Sequence, residues 1–246
     1  MEGKLGAFTY SSPSANISFV NKGGPLLSVP SIKPIFWGAE WGSASPPLDA
    51  NVILSALNVI INGPYLSALT QYGLTRTPTV QGPTFVLDSE PAPAATSALV
   101  NGGVVGLLNR LIDDNQLPEP DQNWRQLNVV FLASSVAPPP GAGGIVSAAH
   151  SAFQWQDYDA FDWDDDPVRY AWVCTQAFGG ISALDMATSG FSHELVEAMT
   201  DPDVKTGWRQ NPDPGGSAGE IGDVCPQIGR LDGTAVSAYW SNTAGA

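Results

Sequence analysis

The chain holds two histidines and seven glutamates, and one histidine opens the string His193-Glu194-Leu195-Val196-Glu197. On a helix, residues four apart lie one turn apart on the same face, so His193 and Glu197 can grip one cation while Glu194 projects about 100° around. That is the geometry of the HExxH zinc helix with glutamate in place of the second histidine. The bland alternative is a solvated i,i+4 pair on a helix surface. Two features weigh against it. A cation N-terminal to an anion opposes the helix dipole, the poorer orientation for a purely stabilising pair. Acidic residues also recur just downstream, in Gly219-Glu220-Ile221-Gly222-Asp223-Val224-Cys225. In a helix or tight turn, one of Glu220 and Asp223 can complete a metal shell while the other accepts the second imidazole N–H of His193.

The remaining chemistry-bearing residues are fewer. His150 follows a glycine-rich turn; it reads either as a hydrogen-bonded histidine at a strand end, or as a further ligand or oxyanion-stabilising donor beside the metal. Six aspartates crowd residues 157–166. They lack the glycine and terminal glutamate of an EF-hand loop, so a solvated acidic loop is the reading. The interleaved Trp155, Tyr158, Phe161 and Trp163 could instead line a cleft for peptide or sugar. Cys174 and Cys225 permit one disulfide and no cysteine-rich metal site; Cys225 alone adjoins the metal motif.

Elements of regular structure must hold these groups in place. The run Ser31–Gly38 reads as a buried strand closed by glycine. Asp49 can cap a helix with Val52, Ile53, Ala56, Leu57, Ile60 and Ile61 at helical spacing, ended by Gly63-Pro64. A short helix over 65–72, a strand over 84–87, a helix over 95–114 and a core strand over 127–133 follow. The chain then breaks at Pro138-Pro139-Pro140-Gly141. A strand over 170–174 leads into the motif helix, 182–199. Alternating strands and helices without a repeat or disordered linker predict one α/β or α+β domain with a central mixed sheet over 30–246. Residues 1–29 form an N-terminal arm or edge strand.

Composition bounds the function. Ten Lys plus Arg against 24 Asp plus Glu leave a net charge of −14 and no basic face for nucleic acid. Apolar residues make up 43% of the 246, enough for a substantial core, and no 18 of them run together to insert in a membrane. No apolar stretch of signal-peptide length follows Met1. Charged residues are only 14%, against roughly 25% in ordinary soluble domains, a balance that leans extracellular.

The run Ser192–Pro202, the later Gly207-Trp208 and Gly219–Cys225 resemble the paired C-terminal motifs of the EXORDIUM (phosphate-induced) family and its bacterial relatives. Pro34–Trp41, Tyr65–Tyr72 and Tyr239-Trp240-Ser241-Asn242 fall in the family's order. The similarity spans roughly residues 30–242 and is strongest after 180. Two departures stand out: no signal peptide is visible, and Ala148-Ala149 precedes His150 where plant members show Cys-Gly and an aromatic residue. The resemblance implies an extracellular protein (the alternative being cytoplasmic) with a zincin-like domain and a metallopeptidase activity. The expectation is a monomeric metal-dependent hydrolase acting on a peptide or protein. Zinc held by His193, Glu197 and Glu220 would carry a water, Glu194 would take its proton, and a scissile carbonyl would be attacked; Asp223 supports the ligands and can exchange roles with Glu220. Glutamate in place of histidine weakens Lewis acidity, which opens the site to Mn2+ or Ca2+. The rival reading is a non-catalytic secreted binding or signalling protein with a structural ion. A third is a degenerate zincin without metal.

Overall fold

The computed structural model describes residues 17–82, 85–93, 102–120, 125–141, 144–155, 167–215 and 218–243. The aspartate loop, 157–166, lies outside them, as do most of the N-terminal arm and the first part of the helix expected over 95–114. Strand β1 (Ser18–Asn21) is followed by β2 (Ser31–Trp37), helix α1 (Ala50–Asn62), a 3-10 helix (Pro64–Tyr72), short strands β3 (Thr79–Val80) and β4 (Phe85–Leu87), helix α2 (Val104–Asp113) and β5 (Gln126–Leu132). Then come β6 (Pro140–Gly141), β7 (Gly144–Ile145), β8 (Ala148–Gln154), β9 (Pro167–Val173), helix α3 (Ala183–Thr200), β10 (Trp208–Asn211), and the hairpin of β11 (Ile228–Leu231) with β12 (Thr234–Ser237). The protein is thus mixed α/β.

A six-stranded sheet forms the centre, in the order β3/β4, β2, β5, β9, β8, with strands from both sides of the Pro138–Gly144 break. All its pairings are parallel except β8 on β9, so the sheet is mixed and its last strand runs against the rest. Strands β2 and β5 are buried along their whole length, as strands covered on both faces must be. Alternate residues feed two cores. Ile32, Phe36, Val129 and Phe131 pack with α1 and α3; Ile35, Trp37, Val130 and Leu132 pack with Leu107, Leu108 and Leu111 of α2.

Pro34 interrupts a central strand, a position that proline ordinarily avoids. The ladder explains it. Ser31 donates its N–H toward β5 (to Arg125) and the Ile32 carbonyl accepts from Gln81 on the opposite side. Alternation therefore turns the Pro34 nitrogen to that second side, where β3 pairs with residues 31–32, β4 with residues 35–37, and neither with 34.

Several local expectations shift. Val52 is exposed, and only the other five positions of the α1 stripe are buried. Residues 64–72 wind as a 3-10 helix beginning on Pro64. Cys174 and Cys225 are both buried free thiols, so the permitted disulfide is not formed. Strands β8, β10, β11 and β12 carry too little apolar alternation to be read from the sequence, yet β8 and β12 flank the motif helix.

Candidate metal centre

Helix α3 carries the motif through the interior. Ser182 caps it by accepting the Asp185 N–H at 3.1 Å, and nearly every residue from Met186 to Thr200 is buried. A helix surrounded on all sides is positioned by packing more than by its own amphipathicity. It is held against β8 and β9 on one side and β12 on another. Gly190 sits 3.0–3.2 Å, measured from a notional Cβ, from Val173 and Ala148, which lets the helix approach the sheet closely. On the β12 side, the Ser237 N–H donates to Ser192 Oγ at 2.8 Å. Tyr65 Oη lies 2.8 Å from the Ser237 carbonyl and 3.1 Å from that of Ser192.

His193 is therefore fixed from below and presented to a cavity of about 340 Å³ that Ser147, Ala148, Gly190, Glu194 and Asp223 also line. Its Nδ1 lies 3.4 Å from Ser237 Oγ. With Nδ1–H donating there, the Nε2 lone pair points the other way. Nε2 lies 3.2 Å from Glu197 Oε1 and 3.9 Å from Asp223 Oδ1. The three donor atoms lie within 4.8 Å of one another.

The Glu220–Asp223 turn sets the third group. Asp223 Oδ2 accepts the Glu220 N–H at 2.9 Å while the Asp223 N–H donates to the Glu220 carbonyl at 3.2 Å. This reciprocal pairing aims Oδ1 of Asp223 at His193. Gly222 completes the fit: a Cβ there would lie 2.7 Å from Glu197 Oε1 and 2.8 Å from Cε1 and Nδ1 of His193, so the bare backbone packs on both side chains.

Glu220 turns inward instead. Its Oε1 lies 3.4 Å from Nε2 of His150 and its Oε2 is 3.9 Å from Nη1 of the fully buried Arg209. His150, on β8, has Nδ1 3.1 Å from Glu194 Oε2 and 3.6 Å from Glu197 Oε2, and Nε2 3.3 Å from the Asp201 carbonyl. Three nearly dry carboxylates, of Glu194, Glu197 and Glu220, thus surround one imidazole whose side chain is 3% exposed. Burial opposes the charged ring, but the Glu194 and Glu220 carboxylates outweigh it and hold His150 well above the usual imidazole range. Burial drives Glu197 well above the usual carboxylate range, and the charges of Glu220, Glu194 and Asp223 add to that; Glu220 is raised chiefly by burial, against the pull of His150.

Two oxygens stand out. Oε1 of Glu197 and Oε1 of Glu220 are buried with no hydrogen-bond partner. An orphaned buried carboxylate oxygen is costly, and such a group calls for a cation. Cys225, which adjoins the motif in sequence, lines the same cavity, but burial pushes its thiol up to about 11.

The sequence did not single out Arg209, Asp201, Gly222 or Ser237. Asp201 accepts the backbone N–H groups of Lys205, Thr206 and Gly207 at 2.6–2.9 Å, and it shares Arg209 with Glu220. Its place directly after the motif helix was the one available signal; nothing local marks Arg209 as buried.

Comparison with protein-family models, with curated proteins and with solved structures returns no match. The EXORDIUM likeness therefore rests on the quoted motifs alone.

Proposed function

We propose that the protein is a zincin-like metal-dependent hydrolase of peptides, its ion held by Nε2 of His193, Oε1 of Glu197 and Oδ1 of Asp223. The observation that carries this reading is the Glu197 carboxylate: it is buried, and its Oε1 is unpartnered and 3.2 Å from an imidazole nitrogen. Donors about 2.0–2.2 Å from one tetrahedral ion lie about 3.3–3.5 Å apart, so the spacing fits a shared cation as well as a direct contact. One nitrogen and two carboxylates suit Zn2+ and also accommodate Mn2+. In this assignment Asp223 takes the third place that the sequence reading gave to Glu220, the exchange of roles which that reading allowed.

A bound ion of this kind supplies Lewis acidity and makes water acidic near neutral pH. The chain supplies the rest. Glu194 borders the cavity beside His193 and is the group that accepts the proton of the attacking water. His150 is a positioning residue: it holds Glu194 by the 3.1 Å contact at Nδ1, with its Nε2 turned to the Asp201 carbonyl. Both its nitrogens are engaged, so it is unsuited to an oxyanion. His193 and Asp223 are about a quarter exposed on the cavity side, which favours an open catalytic centre over a closed structural one. The order of EXORDIUM-like motifs, and a motif helix packed on a central mixed sheet, support the zincin-like assignment.

Peptide libraries incubated with wild type and Glu194→Gln, read by mass spectrometry, test the reading. The variant is expected to keep its ion and lose about 10²–10⁴-fold in hydrolysis. Equal cleavage by both proteins removes Glu194 from the mechanism, and no cleavage by the metal-loaded wild type removes the hydrolase.

A further inference from the structure

We propose a second divalent-cation position next to the first, formed by Nδ1 of His150, Oε2 of Glu194 and Oε2 of Glu197, with the Glu197 carboxylate bridging the two ions. The proposal rests on the reading of His193, Glu197 and Asp223 as the first centre. Two triads of donor atoms, each within 4.8 Å of one another, share Glu197: His193, Glu197 and Asp223 on one side, and His150, Glu194 and Glu197 on the other. The two oxygens of Glu197 divide between them. Oε1 faces His193 at 3.2 Å, and Oε2 stands 3.6 Å from His150, beyond hydrogen-bond length. A carboxylate that faces two nitrogens without a hydrogen bond to either, its side chain 3% exposed, is arranged as a bridge.

His150 is prepared as a ligand. Nε2 stands 3.3 Å from the Asp201 carbonyl, which can only accept, and this contact turns Nδ1 toward Glu194 and Glu197. Metal-binding histidines are ordinarily fixed in this way, with the far N–H on a backbone carbonyl. Charge points to the same conclusion. Glu194, Glu197 and Glu220 converge on the ring, and Arg209 stands 3.9 Å from Glu220 alone. Three carboxylates thus crowd one buried ring, and Oε1 of Glu220 remains without a hydrogen bond. A dication at Nδ1 meets the carboxylate oxygens of Glu194 and Glu197 there. It also draws the carboxylate of Glu194, the group assigned as base, onto the second ion, so filling this position lowers hydrolysis whereas filling the first activates it.

Metal-free protein titrated with Mn2+, followed by ion stoichiometry and electron paramagnetic resonance, provides the test. Wild type is expected to take up two ions, and the isolated-ion signal of the first should fade as the second enters, because one carboxylate couples the spins. His150→Gln, which retains a donor for the Asp201 carbonyl, should bind the second ion at least about 10-fold more weakly and show no coupling. His193→Ala should lose the first ion and keep the second. Two uncoupled ions in wild type, or coupling undiminished in His150→Gln, overturn the bridged position, and the wild-type signal decides the matter even where a variant fails to fold. One wild-type ion, lost in His193→Ala, overturns it while leaving the first centre standing. One ion lost in His150→Gln but kept in His193→Ala puts the lone ion on His150 and overturns both the bridge and the first centre.

Discussion

Gly222→Ala separates metal affinity from folding. The added Cβ would sit 2.7 Å from Glu197 Oε1 and 2.8 Å from two atoms of the His193 ring, where ordinary contact begins at 3.4 Å. The ligands or the turn must therefore retreat by about 0.6–0.7 Å, more than the roughly 0.2 Å tolerance of metal–ligand bonds. His193, open to the cavity, is the side that can yield, which widens its 3.2 Å spacing from Glu197. Disturbed supporting contacts typically cost 10–100-fold in metal affinity, about 1.4–2.7 kcal/mol. Gly222 does not occupy the left-handed region, so alanine carries no backbone penalty. The metal-free variant should change little in stability, since the clash is offset by the roughly 0.4–1 kcal/mol typical of a tolerated Gly→Ala change. Competition with a chromogenic chelator measures affinity, and a thermal melt of the metal-free form measures stability. Unchanged affinity refutes the reasoning, as does an affinity loss matched by collapse of the metal-free fold.

Removing the ion should destabilise the protein by about 2.7 kcal/mol relative to a hundredfold excess of ligand over Kd, a melting shift of about 5–10 °C for a chain of this length; an unchanged melt after verified chelation contradicts a tight site. The folded states of Glu197, Glu220 and His150 hold protons above their ordinary ranges, so the stability of the metal-free protein is expected to fall as pH rises from about 4.5 through their raised values. Bound metal should remove most of that fall and release protons on binding, and calorimetry in two buffers of different ionisation enthalpy reads this directly. Arg209→Leu leaves Asp201 and Glu220 buried without their cation and is expected to cost about 3–5 kcal/mol in urea unfolding; a loss under 1 kcal/mol would show that Arg209 does not balance them.

Much of the scaffold was legible because its signals are local. The apolar runs in 31–37 and 126–132 can only be strands covered on both faces, and Asp49 and Ser182 mark their helices by accepting backbone N–H groups at 2.7 and 3.1 Å. The pairing of His193 with Glu197 follows from helical geometry alone. The choice between Glu220 and Asp223 does not, because a three-residue turn sends neighbouring carboxylates to opposite sides. His150 lies 43 residues before His193 on a strand with no apolar alternation, and it meets its three carboxylate neighbours only where β8 packs on α3 and on the Glu220–Asp223 turn. Arg209 reads in sequence as an ordinary surface charge, and only the long-range fold buries it.

The central claim is a divalent ion shared by His193, Glu197 and Asp223. Crystals of zinc-loaded protein, with anomalous diffraction collected on both sides of the zinc absorption edge, test it most directly. The account requires an edge-dependent peak about 2.0–2.2 Å from Nε2 of His193, Oε1 of Glu197 and Oδ1 of Asp223. Fully loaded protein with no peak there, or with its strongest peak on Glu220 and away from His193, would contradict it.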